Sequence, residues 1–111
     1  EHIDAVNEIE AILDVPGIDS IVPGQGDISG SMGLLGQPNH PDVIAAVETI
    51  FTAAKRKGIP FGHSTGYDPE LTKKWLSFEP NWIGIDGDWI TLYKHAKEIL
   101  INDRNLNNHQ G

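Results

Sequence analysis

Apolar residues recur at helical spacing in four stretches of the chain, and three short, continuous apolar runs separate them. In the first stretch Val6, Ile9, Ile12 and Leu13 share one face, and Pro16-Gly17 ends it. The second covers residues 42–57: Val43, Val47, Ile50, Phe51 and Ala54 form its stripe. Pro41 suits its first helical position, His40 its cap and Gly58 its exit. The third is short, with Asp68 as cap, Pro69 as start, and Leu71, Trp75 and Phe78 directed inward before Pro80. The fourth has Asp88 as cap and carries a broad stripe of Trp89, Leu92, Tyr93, Ala96, Ile99 and Leu100. From Asn102 onward the chain is polar and expected to fray.

The runs at residues 18–22, 59–63 and 82–85 are bounded by glycine or proline and separated by helices, which predicts buried parallel strands. The expected order is α-β-α-β-α-β-α. Three such strands would leave two open edges, so the pattern reads as part of a larger sheet, either a (β/α)₈ barrel or a doubly wound sheet. The incomplete barrel is the preferred reading, with Glu1 just beyond the end of a strand that precedes it. Met32 is the only methionine and the chain opens on Glu1-His2-Ile3-Asp4, which marks it as a piece of something longer.

Composition narrows the partners. Sixteen acids against eight bases give a formal charge of −8 over 111 residues. That balance argues against nucleic acid or an anionic membrane, each of which needs a basic footprint. The longest apolar run, Val43-Ile44-Ala45-Ala46-Val47, is far short of the roughly 20 residues that span a bilayer. With no cysteine, disulfides and thiolate metal sites are excluded, which fits a reducing compartment such as the cytoplasm. With 39% hydrophobic residues the chain has the composition of a folded domain.

In parallel α/β folds, ligands gather beyond the carboxyl ends of the strands. Four places qualify: Glu1, residues 23–36, residues 63–67, and Asp86-Gly87-Asp88. The segment from Pro23 to Gly33 holds four glycines, which let backbone N–H groups approach an anion, and Asp27, which can hold a cation. The same glycines would also serve turns in a solvated loop. Gly24-x-Gly26 is followed by Gly30, one residue late for a dinucleotide fingerprint, and no helix is expected to start there. Glu1 and Asp27 come from successive strand ends, and neighbouring parallel strands lie about 4.8 Å apart, so the two carboxylates can converge on one ion. Two oxygen ligands with open positions suit Mg²⁺ or Mn²⁺. His63 either lines a pocket beside Ser64 and Thr65 or packs at a strand end. His2, His95 and His109 read as peripheral, and nothing places Ser29, Ser31 or Ser64 against a particular histidine. Trp75, Trp82 and Trp89 fit core packing better than ligand stacking.

These residues also carry a resemblance. Glu1, the stretch Ile12-Leu13-Asp14-Val15-Pro16-Gly17-Ile18-Asp19, Gly24-Gln25-Gly26-Asp27-Ile28-Ser29, Met32-Gly33 and Gly36-Gln37-Pro38-Asn39-His40-Pro41-Asp42-Val43 together resemble the HpcH/HpaI aldolase and citrate lyase family, specifically its metal-dependent pyruvate aldolases. The likeness runs through about Leu100 and is most specific between Pro16 and Val43. It implies the carboxyl-terminal portion of a (β/α)₈ barrel, here residues 1–101, with residues 102–111 as a polar tail. It further implies a divalent metal (Mg²⁺, Mn²⁺ or Co²⁺) held by Glu1 and Asp27, and a 2-oxo acid substrate. That substrate would be bound by Gly24, Gln25, Gly26, Asp27 and, on the aldehyde side, Ser64.

The implied reaction cleaves a 4-hydroxy-2-oxo acid to pyruvate and an aldehyde through a metal-stabilised enolate. The catalytic base histidine, its partner acid and an arginine belong to the other half of such a barrel, so these residues alone are expected to be inactive. The family's assembly is commonly hexameric, with the last helix often exchanged between subunits. The alternatives are a citrate-lyase-like enzyme acting on a CoA thioester, a decarboxylating enzyme of the same fold, and a non-catalytic module that binds phosphate. Two departures stand out. The family usually has Gly-Pro-Ala-Asp where this chain has Gly24-Gln25-Gly26-Asp27, and His63-Ser64-Thr65 replaces residues that are commonly aliphatic.

Overall fold

The computed structural model describes residues 1–108, apart from the side chains of Thr65, Asn107 and Asn108. Its elements run α1 (Ile3–Asn7), α2 (Ile9–Leu13), α3 (Gln25–Ser31), α4 (Pro41–Lys57), β1 (Gly62–Thr65), α5 (Pro69–Leu76), β2 (Trp82–Ile85) and α6 (Asp88–Asn108). The first expected helix is interrupted at Glu8, so α1 and α2 are two short pieces of one stretch.

Helix α4 is the organising element. His40 Nδ1 accepts from the Asp42 N–H at 3.3 Å, Pro41 occupies the first turn, and Gly58 leaves the helix at φ +69. Val43, Ala46, Val47, Ile50, Phe51, Ala53 and Ala54 are buried along its length. This stripe packs against α1, α2 and α3. Beyond its carboxyl-terminal half lie Phe61, Trp75 and Phe78, whose rings all pack against Phe51 with centroids 4.8 to 5.7 Å away. Asp68 caps α5 by accepting from the Glu70 and Leu71 N–H groups, which sets Trp75 into this cluster with no exposed surface.

Strands β1 and β2 pair in parallel, with Gly62 opposite Trp82 and Thr65 opposite Ile85. The run expected as a strand at residues 18–22 makes only one bridge, Ile21 to Phe61, in place of the third strand. The reason is chemical. Ile21 N–H donates to Pro60 O and Gly62 N–H to Ile21 O. The next rung on either side would need an N–H from Pro60 or from Pro23, and proline has none.

Four further expectations are corrected. A helix does start inside the glycine-rich loop: α3 opens immediately after Gly24, because Ile28 and Ser29 are buried against α4 and outweigh the weak helix propensity of Gly26 and Gly30. Helix α6 continues past Ile101 to Asn108 where fraying was expected, and residues 109–111, with His109, lie outside the described residues. Its stripe does not pack inward. Trp89, Leu92, Tyr93, Ile99 and Leu100 are all exposed, so no described element covers that face of the 21-residue helix. The radius of gyration is accordingly 18.3 Å, against about 13 Å for a compact domain of this size. Of the three tryptophans only Trp75 is a core residue. No described helix is long and apolar enough to cross a membrane.

The Trp82 indole lies flat over Gly62, and a Cβ on Gly62 would fall inside its ring system. Gly62→Ala is therefore expected to destabilise the protein by about 1–3 kcal/mol in urea denaturation. Adding Trp82→Ala should return most of that loss, because the indole is itself 44% exposed.

Candidate functional site

Glu1 and Asp27 are brought together by α1 and α3. The Ile3 N–H donates to Ser31 Oγ at 2.9 Å, and that hydroxyl donates in turn to Ile28 O. Ser31 lies one helical turn beyond Asp27 and Ile3 two residues beyond Glu1, so this bond ties the two acidic segments across 28 positions. Both carboxylates then close on Gly24. A Cβ built there would stand 2.8 Å from Glu1 Cγ, 2.9 Å from Asp27 Oδ2 and 3.5 Å from Glu1 Oε1. The two oxygens are therefore no further apart than the sum of their distances from that point. Both side chains are exposed, and the space between them is kept by the missing side chain of Gly24. Among the described residues no third acid or histidine joins them. Two carboxylates with the remaining positions open to water or substrate oxygens is an arrangement that suits Mg²⁺ or Mn²⁺.

A cavity of about 620 Å³ opens beside this pair. Glu1, Gly24, Gln25 and Gly26 line it together with Pro38, Asn39, Ser64, Tyr67 and Lys94. Asp27 is not in its wall, although its Oδ2 stands against the same point on Gly24 as the Glu1 side chain. Of the residues singled out in the sequence, Glu1, Gly24, Gln25, Gly26 and Ser64 thus share one cavity. The amides of Gly26 and Asp27 precede the first intrahelical bond of α3, from Ile28 N–H to Gly24 O.

Gln25 differs from what its position in the motif predicts. Its side chain is 6% exposed, and both ends of its amide are in use. Nε2 donates to Pro38 O at 2.6 Å and lies 3.4 Å from Asn39 Oδ1, and Oε1 faces His63 Nε2 at 3.0 Å. Since Oε1 can only accept, His63 carries its proton on Nε2. His63 is fully buried, edge-on to Phe51 and 4.8 Å from Trp75 between ring centroids. It is a core residue and not a wall of the cavity, the second of the two roles the sequence left open. His63 Nδ1 and Trp75 Nε1 are both buried without a hydrogen-bond partner. The Gln25–His63 bond spans 38 positions, and the sequence marked it only as two separate departures from the family pattern.

The remaining polar candidates are occupied elsewhere. Ser29 Oγ donates to Gly26 O, His2 caps α1, and His95 lies on the surface beside Glu98. Asp86, at φ +56, accepts from Lys94 Nζ at 2.9 Å, and that bond holds its carboxyl below the usual carboxylate range.

The HpcH/HpaI aldolase/citrate lyase family profile matches residues 1–87. The chain belongs to that family. It is 32% identical over 97 residues to a 2-dehydro-3,6-dideoxy-6-sulfogluconate aldolase of Pseudomonas putida, covering 87% of this chain and 38% of the relative. It is 30% identical over 111 aligned residues to a 4-hydroxy-2-oxo-heptane-1,7-dioate aldolase of Salmonella paratyphi C, covering 97% and 42%. The crystal structure of an HpcH/HpaI aldolase from Desulfitobacterium hafniense superimposes with a TM-score of 0.88 at 29% identity, over 94% of this chain and 40% of that one. The chain thus spans about two fifths of the length of these relatives, and its α/β fold is part of the family's (β/α)₈ barrel.

Burial lowers the His63 pKa from 6.5 to about 4, because a proton on Nδ1 would bring charge and an unmet donor into an apolar pocket. Above pH 6.5 folded and unfolded states are both neutral there. As pH falls from 6.5 toward 4 only the unfolded state takes up the proton, so stability declines. Urea titrations across that window should show a loss on the order of 3 kcal/mol that His63→Phe removes.

Proposed function

We propose that the chain forms the metal-binding half of a class II aldolase active site, one that cleaves 4-hydroxy-2-oxo acids to pyruvate and an aldehyde. The observation that carries this reading is the closing of the Glu1 and Asp27 carboxylates on Gly24 at the mouth of the cavity. A divalent cation bound there would draw charge from the keto oxygen of a 2-oxo acid and so stabilise the enolate left when the carbon–carbon bond breaks.

The chain's own residues have separable tasks. Glu1 and Asp27 supply two anionic oxygens from different elements, fixed by the Ile3–Ser31 bond. Gly24 leaves the space that any side chain would take from the cation. The N–H groups of Gly26 and Asp27, which precede the first intrahelical bond of α3, would donate to the substrate carboxylate and offset the acidity of the surroundings. Ser64, projecting from β1, offers a hydroxyl to the aldehyde portion across the cavity. The base that moves the hydroxyl proton is assigned to residues of the complete barrel outside this chain, as is any oligomeric partner.

The test uses the full-length protein that contains these residues. Pyruvate release from a 4-hydroxy-2-oxo acid should require Mg²⁺ or Mn²⁺, stop with EDTA and return on adding metal. Asp27→Asn should lower kcat/KM at least about a hundredfold, since the cation is worth several kcal/mol in the transition state. Gly24→Ala places its methyl between the two carboxylates at an ordinary φ of −81, and should weaken metal binding by about 10–100-fold. Wild-type turnover by Asp27→Asn would refute the reading. A requirement for a CoA thioester would indicate a citrate-lyase-like enzyme, and phosphate binding without metal a non-catalytic module.

A further inference from the structure

We infer that the buried Gln25–His63 hydrogen bond, anchored at Pro38, is a positioning device that holds the Gly24–Asp27 turn, and with it the Asp27 carboxylate, in cation-binding geometry. This rests on the reading of Glu1 and Asp27 as a cation pair. Helix α3 has seven residues, two of them glycine, and so short a helix does not hold its shape unaided. Gly24 and Gly26 flank Gln25, so the turn that carries Asp27 has little stiffness of its own. Burial of Ile28 and Ser29 and the Ile3–Ser31 bond hold the later residues of α3, and Gln25 is the side chain that ties the turn itself to the rest of the protein.

One end of the Gln25 amide is held by Pro38 O at 2.6 Å and the other by His63 Nε2 at 3.0 Å. His63 in turn stands on β1 with Phe51 and Trp75 against its ring, so the turn is referred to the best-packed part of the molecule. The chemistry of the pair supports a directional role. An apolar side chain at either position could fill the same space without aligning anything, whereas a buried amide and imidazole are tolerated only when they meet in a defined orientation. His63 is not in the cavity wall and does not touch substrate; Gln25 lies in the wall, but its amide faces inward to the protein. Both are positioning residues.

The experiment compares His63→Phe, Gln25→Met, the double variant and His63→Gln in the full-length protein. Mn²⁺ alone is the probe, titrated by calorimetry, and amide hydrogen exchange at Ile28, Ser29 and Gly30, the first bonded N–H groups of α3, is followed in metal-free protein beside urea stability. Each apolar single variant should weaken Mn²⁺ binding about tenfold, the scale expected for groups that orient a metal ligand, and should speed exchange at those three amides more than elsewhere. The double variant should be no worse than either single one. His63→Gln, whose amide N–H can replace Nε2–H, should restore both readouts. Wild-type Mn²⁺ affinity and exchange in the single variants, or losses that simply add in the double, would overturn the inference. So would a uniform loss of protection across the fold, which marks a filler and not a positioning group. If His63→Phe does not fold, Gln25→Met and the His63→Gln rescue decide. If the wild-type protein binds Mn²⁺ no better than Asp27→Asn, it is the cation pair that has failed, and the exchange data alone judge the positioning role.

Discussion

Apart from α6, the described elements that shape the cavity trace back to the ring of Phe51. It is fully buried and packs against Phe61, His63, Trp75 and Phe78, which come from the segment before β1, from β1 itself, from α5 and from the turn after it. Phe51 belongs to α4, whose opposite reach covers α1, α2 and α3. One aromatic side chain thus connects the strand that presents Ser64 with the helix whose neighbours present Glu1 and Asp27. Aromatic contacts of this kind have angular preferences as well as area, so the cluster fixes orientation besides adding apolar burial.

The parts of the fold legible in the sequence are those where a local rule met no opposition. His40-Pro41, Gly58 and Asp68-Pro69 mark helix ends by chemistry confined to a few neighbouring residues: α4 starts and stops, and α5 starts, where those residues stand, while α5 ends at Leu76, short of the expected Phe78. Strand β2 matches its apolar run. Misreadings arose where a non-local term decided. The run at residues 18–22 looks like a strand by hydrophobicity, but its pairing depends on which of its neighbours' N–H groups exist, and two prolines remove them. Glycine content argued for a loop at residues 23–36, but burial of Ile28 and Ser29 against α4 makes a helix there. The stripe of α6 has the period of a packed helix; periodicity reports that a face is apolar, not that something covers it.

For the candidate site, the approach of the two carboxylates to each other was legible because residues at neighbouring strand ends converge in parallel α/β folds. What escaped was the partnership behind them. Gln25 looked like a substrate contact and His63 like an isolated choice between pocket and core. Nothing in a linear reading links positions 25 and 63. The available signal was that both depart from the family pattern, and a polar residue replacing an apolar one in a core is unfavourable unless a second such replacement meets it.

The prolines that end the first ladder after a single rung have a mechanical consequence. A parallel pairing that can neither extend nor shift by one residue without forfeiting its bonds works as a pin joint, not a seam. Beyond that joint the chain leaves the sheet at Pro23 and enters the glycine turn directly, so the turn's aim is set by side-chain anchors and not by strand twist. The mouth of the cavity can therefore be re-aimed by substitutions in those anchors while the sheet beneath keeps its register.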